Sequence, residues 1–213
     1  MISHKTINLI STYSLVAPLY VLMVYFSFCI KKLLPVTLYI IFCLLAEVNS
    51  ALTESYNFPD IILTNIYNLI EPSFVAWTVY TFIKDIRIRK IIIIIGTIHL
   101  LLWLLTISLT SLVITNPIIT GSSTLCSILF CLLYIFQLNK EENIKVWQMI
   151  ICGAFLSYFV TIAGMISFIS FYKESSDEKY IIYFSIIHFI ANLGLNGLLA
   201  LGIYKCKNQS LLV

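Results

Sequence analysis

The chain has 213 residues, of which 60% are hydrophobic and only 11% charged, and its formal net charge is +3. Soluble domains carry about 25% charged residues, so this chain has too few charges to cover a soluble core. The composition excludes an ordinary soluble domain and indicates an integral membrane protein, whose outer surface is apolar too. The six cysteines form no C-x-x-C pair and are interpreted as small buried apolar residues.

Seven apolar runs are long enough to cross a membrane as helices, which takes about 20 residues each. They cover residues 7–30, 35–56, 61–83, 91–114, 118–138, 146–172 and 180–204, each bound being approximate. Span one is too long for the apolar core of a signal peptide, and span two begins at Pro35, a residue that suits a first helical turn. A turn at residues 115–117 separates spans four and five. The sequence therefore predicts an all-α polytopic fold with seven transmembrane helices in a single domain, 1–213.

Lysine and arginine residues near the span ends predict the orientation, because they accumulate on the cytoplasmic side. Ten lie on one side, namely Lys31, Lys32, Lys84, Arg87, Arg89, Lys90, Lys140, Lys145, Lys205 and Lys207. Three lie on the other, namely Lys5, Lys173 and Lys179. The N-terminus is therefore predicted outside and the C-terminus in the cytoplasm, in a multi-pass protein of the cell (inner) membrane. The insertion rule alone accounts for these cations, so no nucleic-acid partner is expected.

Span three carries the most informative polar residues. Glu71 lies in its middle, and Asn68 shares its helical face. Pro72 follows Glu71 directly, and a proline inside a helix removes the hydrogen bond to the carbonyl four residues back, here that of Asn68. An ionisable group in hydrocarbon costs several kcal/mol and marks a functional site by default. The pattern predicts a carboxylate and a freed carbonyl close together.

Two further spans carry a polar stripe along one face. On span two the stripe consists of Cys43, Glu47, Ser50 and Glu54; on span seven it consists of Ser185, His188, Asn192 and Asn196. Glu71, Glu47 and His188 all lie about 12–15 Å from the outer end of their spans, and His99 of span four lies near mid-membrane. These depths predict that Glu47, Glu71 and His188 converge in one pocket beside Asn68 and Asn192.

The candidate residues fall into two groups by their chemistry. Glu47, Glu71 and His188 are the candidates for acid, base or metal-ligand roles. The predicted ligand contacts are Asn68, Asn192, Asn196, Ser50 and His99. A structural interpretation stays open for the amides and His99, since polar side chains also hold membrane helices together.

Small residues predict where helices approach closely. On span seven these are Gly194 and Gly197, and on span six they are Gly153, Ser157 and Thr161.

Known seven-helix families provide a limited comparison. Span seven has no lysine for a Schiff base, which disfavours the retinal of rhodopsins. The alkaline ceramidase and progestin-receptor-like superfamily uses three histidines with Ser and Asp, whereas only two intramembrane histidines are present here. A Glu in span two, Asn-x-x-Glu in span three and His-x-x-x-Asn in span seven resemble a group of uncharacterised bacterial seven-helix membrane proteins. That resemblance implies the architecture and no activity.

Three functions fit these residues. Ligand binding or proton-coupled transport of a small molecule would use Glu47 and Glu71 as protonation sites. An intramembrane enzyme acting on a lipid or isoprenoid would use the same carboxylates as acid and base, or with His188 as ligands of a divalent metal. A membrane sensor or accessory subunit would use the pocket to bind a ligand or a membrane partner protein. The cofactor, and whether the chain is an enzyme at all, stay open.

Overall fold

The computed structural model describes residues 13–56, 60–111, 116–139, 145–172 and 178–210, and every regular element among these residues is an α-helix. The helices are α1 (Val16–Tyr56), α2 (Asp60–Phe82), α3 (Ile86–Thr110), α4 (Pro117–Leu138), α5 (Val146–Tyr172) and α6 (Glu178–Ser210). The predicted all-α class is confirmed. The last five helices coincide with predicted spans three to seven to within a few residues.

Among the described residues, four helical segments are long and apolar enough to cross a membrane. They are Ile86–Thr110, Pro117–Leu138, Val146–Phe168 and Ile182–Lys207. Large apolar side chains such as Ile93, Leu101 and Leu109 are exposed on their surfaces. Length, composition and surface together indicate a membrane protein.

The predicted division between spans four and five is present, while residue 115 of the predicted turn lies outside the described part of the chain. Helix α3 ends at Thr110, and Asn116 caps the start of α4 by accepting a hydrogen bond from the backbone N–H of Ile118 at 2.9 Å. Pro117 occupies the first turn of α4, where a missing N–H costs nothing. The cap and the proline together explain why the long apolar run divides into two helices.

Helix α1 differs most from the prediction, because it continues through the segment expected to separate spans one and two. Lys31, Lys32 and Pro35 all lie inside it. Lysine is a good helix former, so a lysine pair does not by itself end a helix. The 41 residues of α1 correspond to about 60 Å of helix, roughly twice the thickness of the hydrocarbon core. The number of times α1 crosses the membrane, and hence the seven-span topology, stays a prediction.

The chain divides into two compact units. The terminal unit contains 1–31 and 144–213, and the central unit contains 32–143. In the central unit α2 packs against both α3 and α4. Its core contains Val75, Val79 and Phe130, with the small residues Ser123 and Ser127 of α4 also buried. The single transmembrane domain predicted for 1–213 stays a prediction.

In the terminal unit α5 and α6 pack closely at Gly202. A Cβ atom on Gly202 would lie 2.6 Å from Ile151 Cγ1 and 3.4 Å from the carbonyl oxygen of Trp147. A Cβ on Gly194 or Gly197 would meet nothing within 4 Å. The predicted close approach at those two glycines is therefore wrong among the described residues, and the contact lies one to two turns further along α6.

The predicted packing stripe on span six is also not a contact surface within the described residues. Gly153 and Ser157 are exposed, and a Cβ added at Gly153 would meet nothing within 4 Å. The buried face of α5 consists instead of larger side chains, including Ile151, Phe155 and Phe159. Spacing alone shows which residues share a helical face but not which face is covered.

Candidate functional site

Glu71 lies near the middle of α2 and is only 6% exposed. Its Oε1 atom accepts hydrogen bonds from the hydroxyl of Tyr67 at 2.9 Å and from that of Tyr39 at 3.4 Å. Tyr67 lies one turn earlier on α2, and Tyr39 comes from α1. Both donors are neutral phenols, so the carboxylate receives hydrogen bonds from them without an opposite charge.

Aromatic packing orients the two phenols. The Phe42 ring stacks on Tyr67 with centroids 5.4 Å apart, and Phe74 meets Tyr39 edge-on at 6.5 Å. Cys43 Sγ lies 3.5 Å from the Tyr67 hydroxyl. Because that hydroxyl gives its one proton to Glu71, the thiol is the donor in this contact. We call Tyr39, Cys43, Tyr67 and Glu71 the Glu71 cluster.

A second polar contact lies beside this cluster, at the backbone carbonyl that Pro72 leaves without a helical donor. The proline lies inside α2 and cannot donate to the Asn68 carbonyl. His99 Nε2 of α3 lies 3.2 Å from that carbonyl oxygen, and since a carbonyl only accepts, Nε2 carries the proton. His99 Nδ1 in turn lies 3.4 Å from the hydroxyl of Ser122 on α4. The carbonyl that the sequence predicted to be freed is thus bonded to the buried histidine.

Two further hydrogen bonds attach α2 to its neighbours. Asn68 Nδ2 donates to Thr120 Oγ1 of α4 at 3.0 Å, and Trp103 Nε1 of α3 donates to the Asn65 carbonyl at 2.9 Å. Asn68 and His99, both predicted as ligand contacts, therefore make interhelical hydrogen bonds in the central unit. This agrees with the structural interpretation that the sequence left open for them.

Of the remaining candidates on α1, only Glu47 has a described side chain. It is half-buried and lies one turn beyond Cys43, a member of the Glu71 cluster. Ser50 and Glu54 lie in α1, but their side chains are outside the described part of the chain. The predicted meeting of the Glu47 and Glu71 carboxylates stays a prediction.

The polar stripe of span seven lies on α6 in the terminal unit. Asn192 Nδ2 and His188 Nε2 are 3.5 Å apart, and the Tyr158 ring lies 6.4 Å from the His188 ring. Asn196 Nδ2 donates to Ser14 Oγ at 2.7 Å. These residues belong to a different unit from Glu71, so their convergence with the Glu71 cluster stays a prediction.

Metal ligation was a further hypothesis for Glu47, Glu71 and His188. Within the described ranges no group of three or more His, Cys, Asp or Glu side chains could hold a metal ion. The hypothesised ligands come from both units, so the metal site stays a prediction.

An apolar groove of about 530 Å³ lies between α2 and α3 and is lined in part by Pro72. Its lining includes Pro72, Trp77, Tyr80, Ile93, Gly96 and His99. The volume is within the usual range for ligand pockets. We call it the α2–α3 groove; the residues of the Glu71 cluster do not line it.

The fold and the site define a helical membrane protein with a buried carboxylate between two phenols. No protein-family model, curated protein or solved structure matches this chain. Its function therefore has to be inferred from the described residues themselves.

The sequence pointed to Glu71, Asn68 and His99 but not to all their partners. The sequence assigned no role to Tyr39, Tyr67, Trp103 or Thr120. Tyr39 continues the four-residue spacing of Cys43 and Glu47 by one turn, which was the available signal. Thr120 carries no such signal, because it is one of five serine and threonine residues in the first half of α4.

Proposed function

We propose that this chain binds a small molecule within the membrane and that Glu71 exchanges a proton as part of that binding. The observation that carries the proposal is the burial of the Glu71 carboxyl in mid-helix, where the two phenols of the Glu71 cluster donate hydrogen bonds to it. A carboxylate at the centre of a membrane helix costs about 2.5–3.5 kcal/mol on insertion scales. An amide side chain at this position could accept the same hydrogen bonds without that cost.

Helix α2 itself provides the comparison. Asn68, one turn before Glu71, joins α2 to α4 through a neutral amide. Where the helix needs only an interhelical hydrogen bond, an amide therefore suffices. An ionisable group in the same helix supports a role that depends on gaining or losing a proton.

Proton-coupled transport is the form of this function that the local backbone favours. Transporters commonly bind substrates and coupling ions where a membrane helix is interrupted. Pro72 interrupts the hydrogen bonding of α2 directly beside Glu71. In this proposal Glu47 on α1 and His188, Asn192 and Asn196 on α6 stay the predicted further site residues.

The proposal includes a topology and a location. Seven spans, an external N-terminus and a cytoplasmic C-terminus in the cell (inner) membrane are supported by the distribution of lysine and arginine between the two sides. The hypotheses of an intramembrane enzyme and of a sensor stay predictions.

The test compares the small molecules that co-purify with three proteins: the natural chain, Glu71→Gln and Asp85→Asn. Asp85 caps α3 outside the apolar segment, and asparagine preserves that cap. Untargeted mass spectrometry should find a small molecule that is lost from Glu71→Gln but retained by Asp85→Asn. Equal contents in all three proteins would contradict a ligand role for Glu71.

A further inference from the structure

The α2–α3 groove has the length of one membrane leaflet. Along α2 it extends from Leu69 to Tyr80, about 17 Å at 1.5 Å per residue. Half of the hydrocarbon core is about 15 Å thick. The groove lies among side chains that remain exposed, including Trp77, Ile93 and Leu100. A groove of this length and lining is open to the hydrocarbon of the bilayer.

One end of the groove lies beside a concentration of positive charge. The guanidinium of Arg89 lies 4.9 Å from the centre of the Tyr80 ring, and its Nε donates to the Ile83 carbonyl at 2.6 Å. The cations of this region, which we call the basic turn, are Lys84, Arg87, Arg89 and Lys90. The one acidic residue among positions 83–90, Asp85, accepts from the Arg87 backbone N–H as the cap of α3. Three of the four basic side chains are exposed.

We infer that the groove holds one acyl chain of an anionic phospholipid whose phosphate group lies on the basic turn. The apolar lining accommodates the chain, and the cations attract the negative headgroup. The proposed orientation puts the basic turn at the cytoplasmic leaflet, where anionic lipids give a negative surface potential. The site goes beyond the proposed function, since it uses none of the Glu71 cluster.

The headgroup is tested with phosphatidylglycerol and phosphatidylcholine that carry identical acyl chains. Native mass spectrometry of the full chain should show phosphatidylglycerol retained at least about fivefold more than phosphatidylcholine, the factor expected from one cation near the surface. The double variant Arg87→Gln/Lys90→Gln should lose most of this preference, because it removes two of the three exposed cations of the basic turn. Lys145→Gln/Lys205→Gln, which removes two exposed cations of the terminal unit, should leave it unchanged.

The acyl chain is tested with a matched pair of glycine variants. Gly96 lines the groove, Gly121 lies on α4 outside the lining, and a Cβ on either glycine would meet nothing within 4 Å. Gly96→Leu should fill the groove and reduce phosphatidylglycerol retention severalfold, whereas Gly121→Leu should not. The gain in helix propensity is the same in both variants, so it cannot produce the difference.

Trp77 provides a measurement that needs no groove-filling substitution. Phosphatidylglycerol with brominated chains should quench the fluorescence of the natural protein more than that of Trp77→Phe, because Trp77 lines the groove. The inference is overturned by equal retention of the two lipids. Phosphatidylglycerol retention that is unchanged in Gly96→Leu also overturns it, since the lipid would then bind without a chain in the groove. Equal quenching of the natural protein and Trp77→Phe would also overturn the inference.

Discussion

Two phenols donate hydrogen bonds to Glu71 at different distances, so the contributions of the two bonds to stability can be compared with matched Tyr→Phe variants. The Tyr67 hydroxyl donates at 2.9 Å and the Tyr39 hydroxyl at 3.4 Å. Tyr67→Phe should lower the free energy of unfolding by about 1–2 kcal/mol, because it removes the shorter bond and the oxygen that accepts from Cys43. Tyr39→Phe makes the same chemical change at the longer bond and should cost less. Unfolding in mixed micelles measures both, and equal losses would contradict the assigned geometry.

The site residues that the sequence predicted are those whose chemistry is out of place in hydrocarbon. Glu71 stands out because a carboxylate is costly there, and Pro72 because it removes a helical hydrogen bond. Tyrosine and threonine carry no such penalty, and the chain has 13 tyrosines. Apart from the four-residue spacing that places Tyr39 on the face of Cys43 and Glu47, nothing in the sequence distinguished the hydroxyl partners of Glu71 and Asn68 from residues that serve packing.

Pro72 and His99 should be energetically coupled through the Asn68 carbonyl. His99→Leu leaves that buried carbonyl without its donor and should cost about 1–3 kcal/mol of unfolding free energy. In Pro72→Ala the alanine N–H can bond to the same carbonyl, so His99→Leu should then cost about 1 kcal/mol less. A double-mutant cycle on the free energy of unfolding measures this coupling.

Trp103 provides the control for that cycle. It donates to the Asn65 carbonyl, whose helical donor is the N–H of Leu69, so the missing N–H of Pro72 does not affect it. Trp103→Phe and Pro72→Ala should therefore be additive. Additive behaviour of His99→Leu and Pro72→Ala would show that the histidine does not replace the lost helical bond.

The packing of α5 on α6 depends on one glycine. Gly202→Ala should destabilise the protein by about 1–3 kcal/mol, because Ile151 and the Trp147 backbone leave no room for the new methyl group. Gly197→Ala adds the same group to the same helix where nothing lies within 4 Å, so it should not lower stability. Unfolding in detergent titrations compares the two, and equal effects would contradict the close contact at Gly202.

Helix boundaries were predictable where the chain carries a stop signal. Asn116 and Pro117 begin a helix through a side-chain cap and a fixed backbone angle, and the predicted division of that apolar run is confirmed. Lys31 and Lys32 are compatible with a helix, so their charge marked a possible membrane boundary without ending α1. A charge pattern predicts where the chain lies relative to the membrane surface. The helix boundary at Asn116 and Pro117 is set instead by a side-chain cap and by the backbone of proline.

The orientation of the whole chain is tested by fusions to alkaline phosphatase, which is active only outside the cytoplasm. The seven-span topology predicts activity for a fusion after Asp60 and none for fusions after Lys32, Lys90 or Lys207. Activity after Lys207 would reverse the proposed orientation. Equal results at Lys32 and Asp60 would show that the second half of α1 does not cross the membrane.

Protonation of Glu71 is the central claim, and infrared difference spectroscopy across a pH titration tests it most directly. The natural protein should show the carbonyl-stretch band of a protonated carboxylic acid at low pH and lose it as the pH rises. The chain has ten Asp and Glu residues, so Glu71→Gln should lose only the component of this band that belongs to Glu71. Tyr67→Phe should shift the frequency of that component, because the carboxyl then loses its 2.9 Å hydrogen bond. Identical difference spectra for the natural protein and Glu71→Gln would show that Glu71 exchanges no proton and would contradict the proposed function.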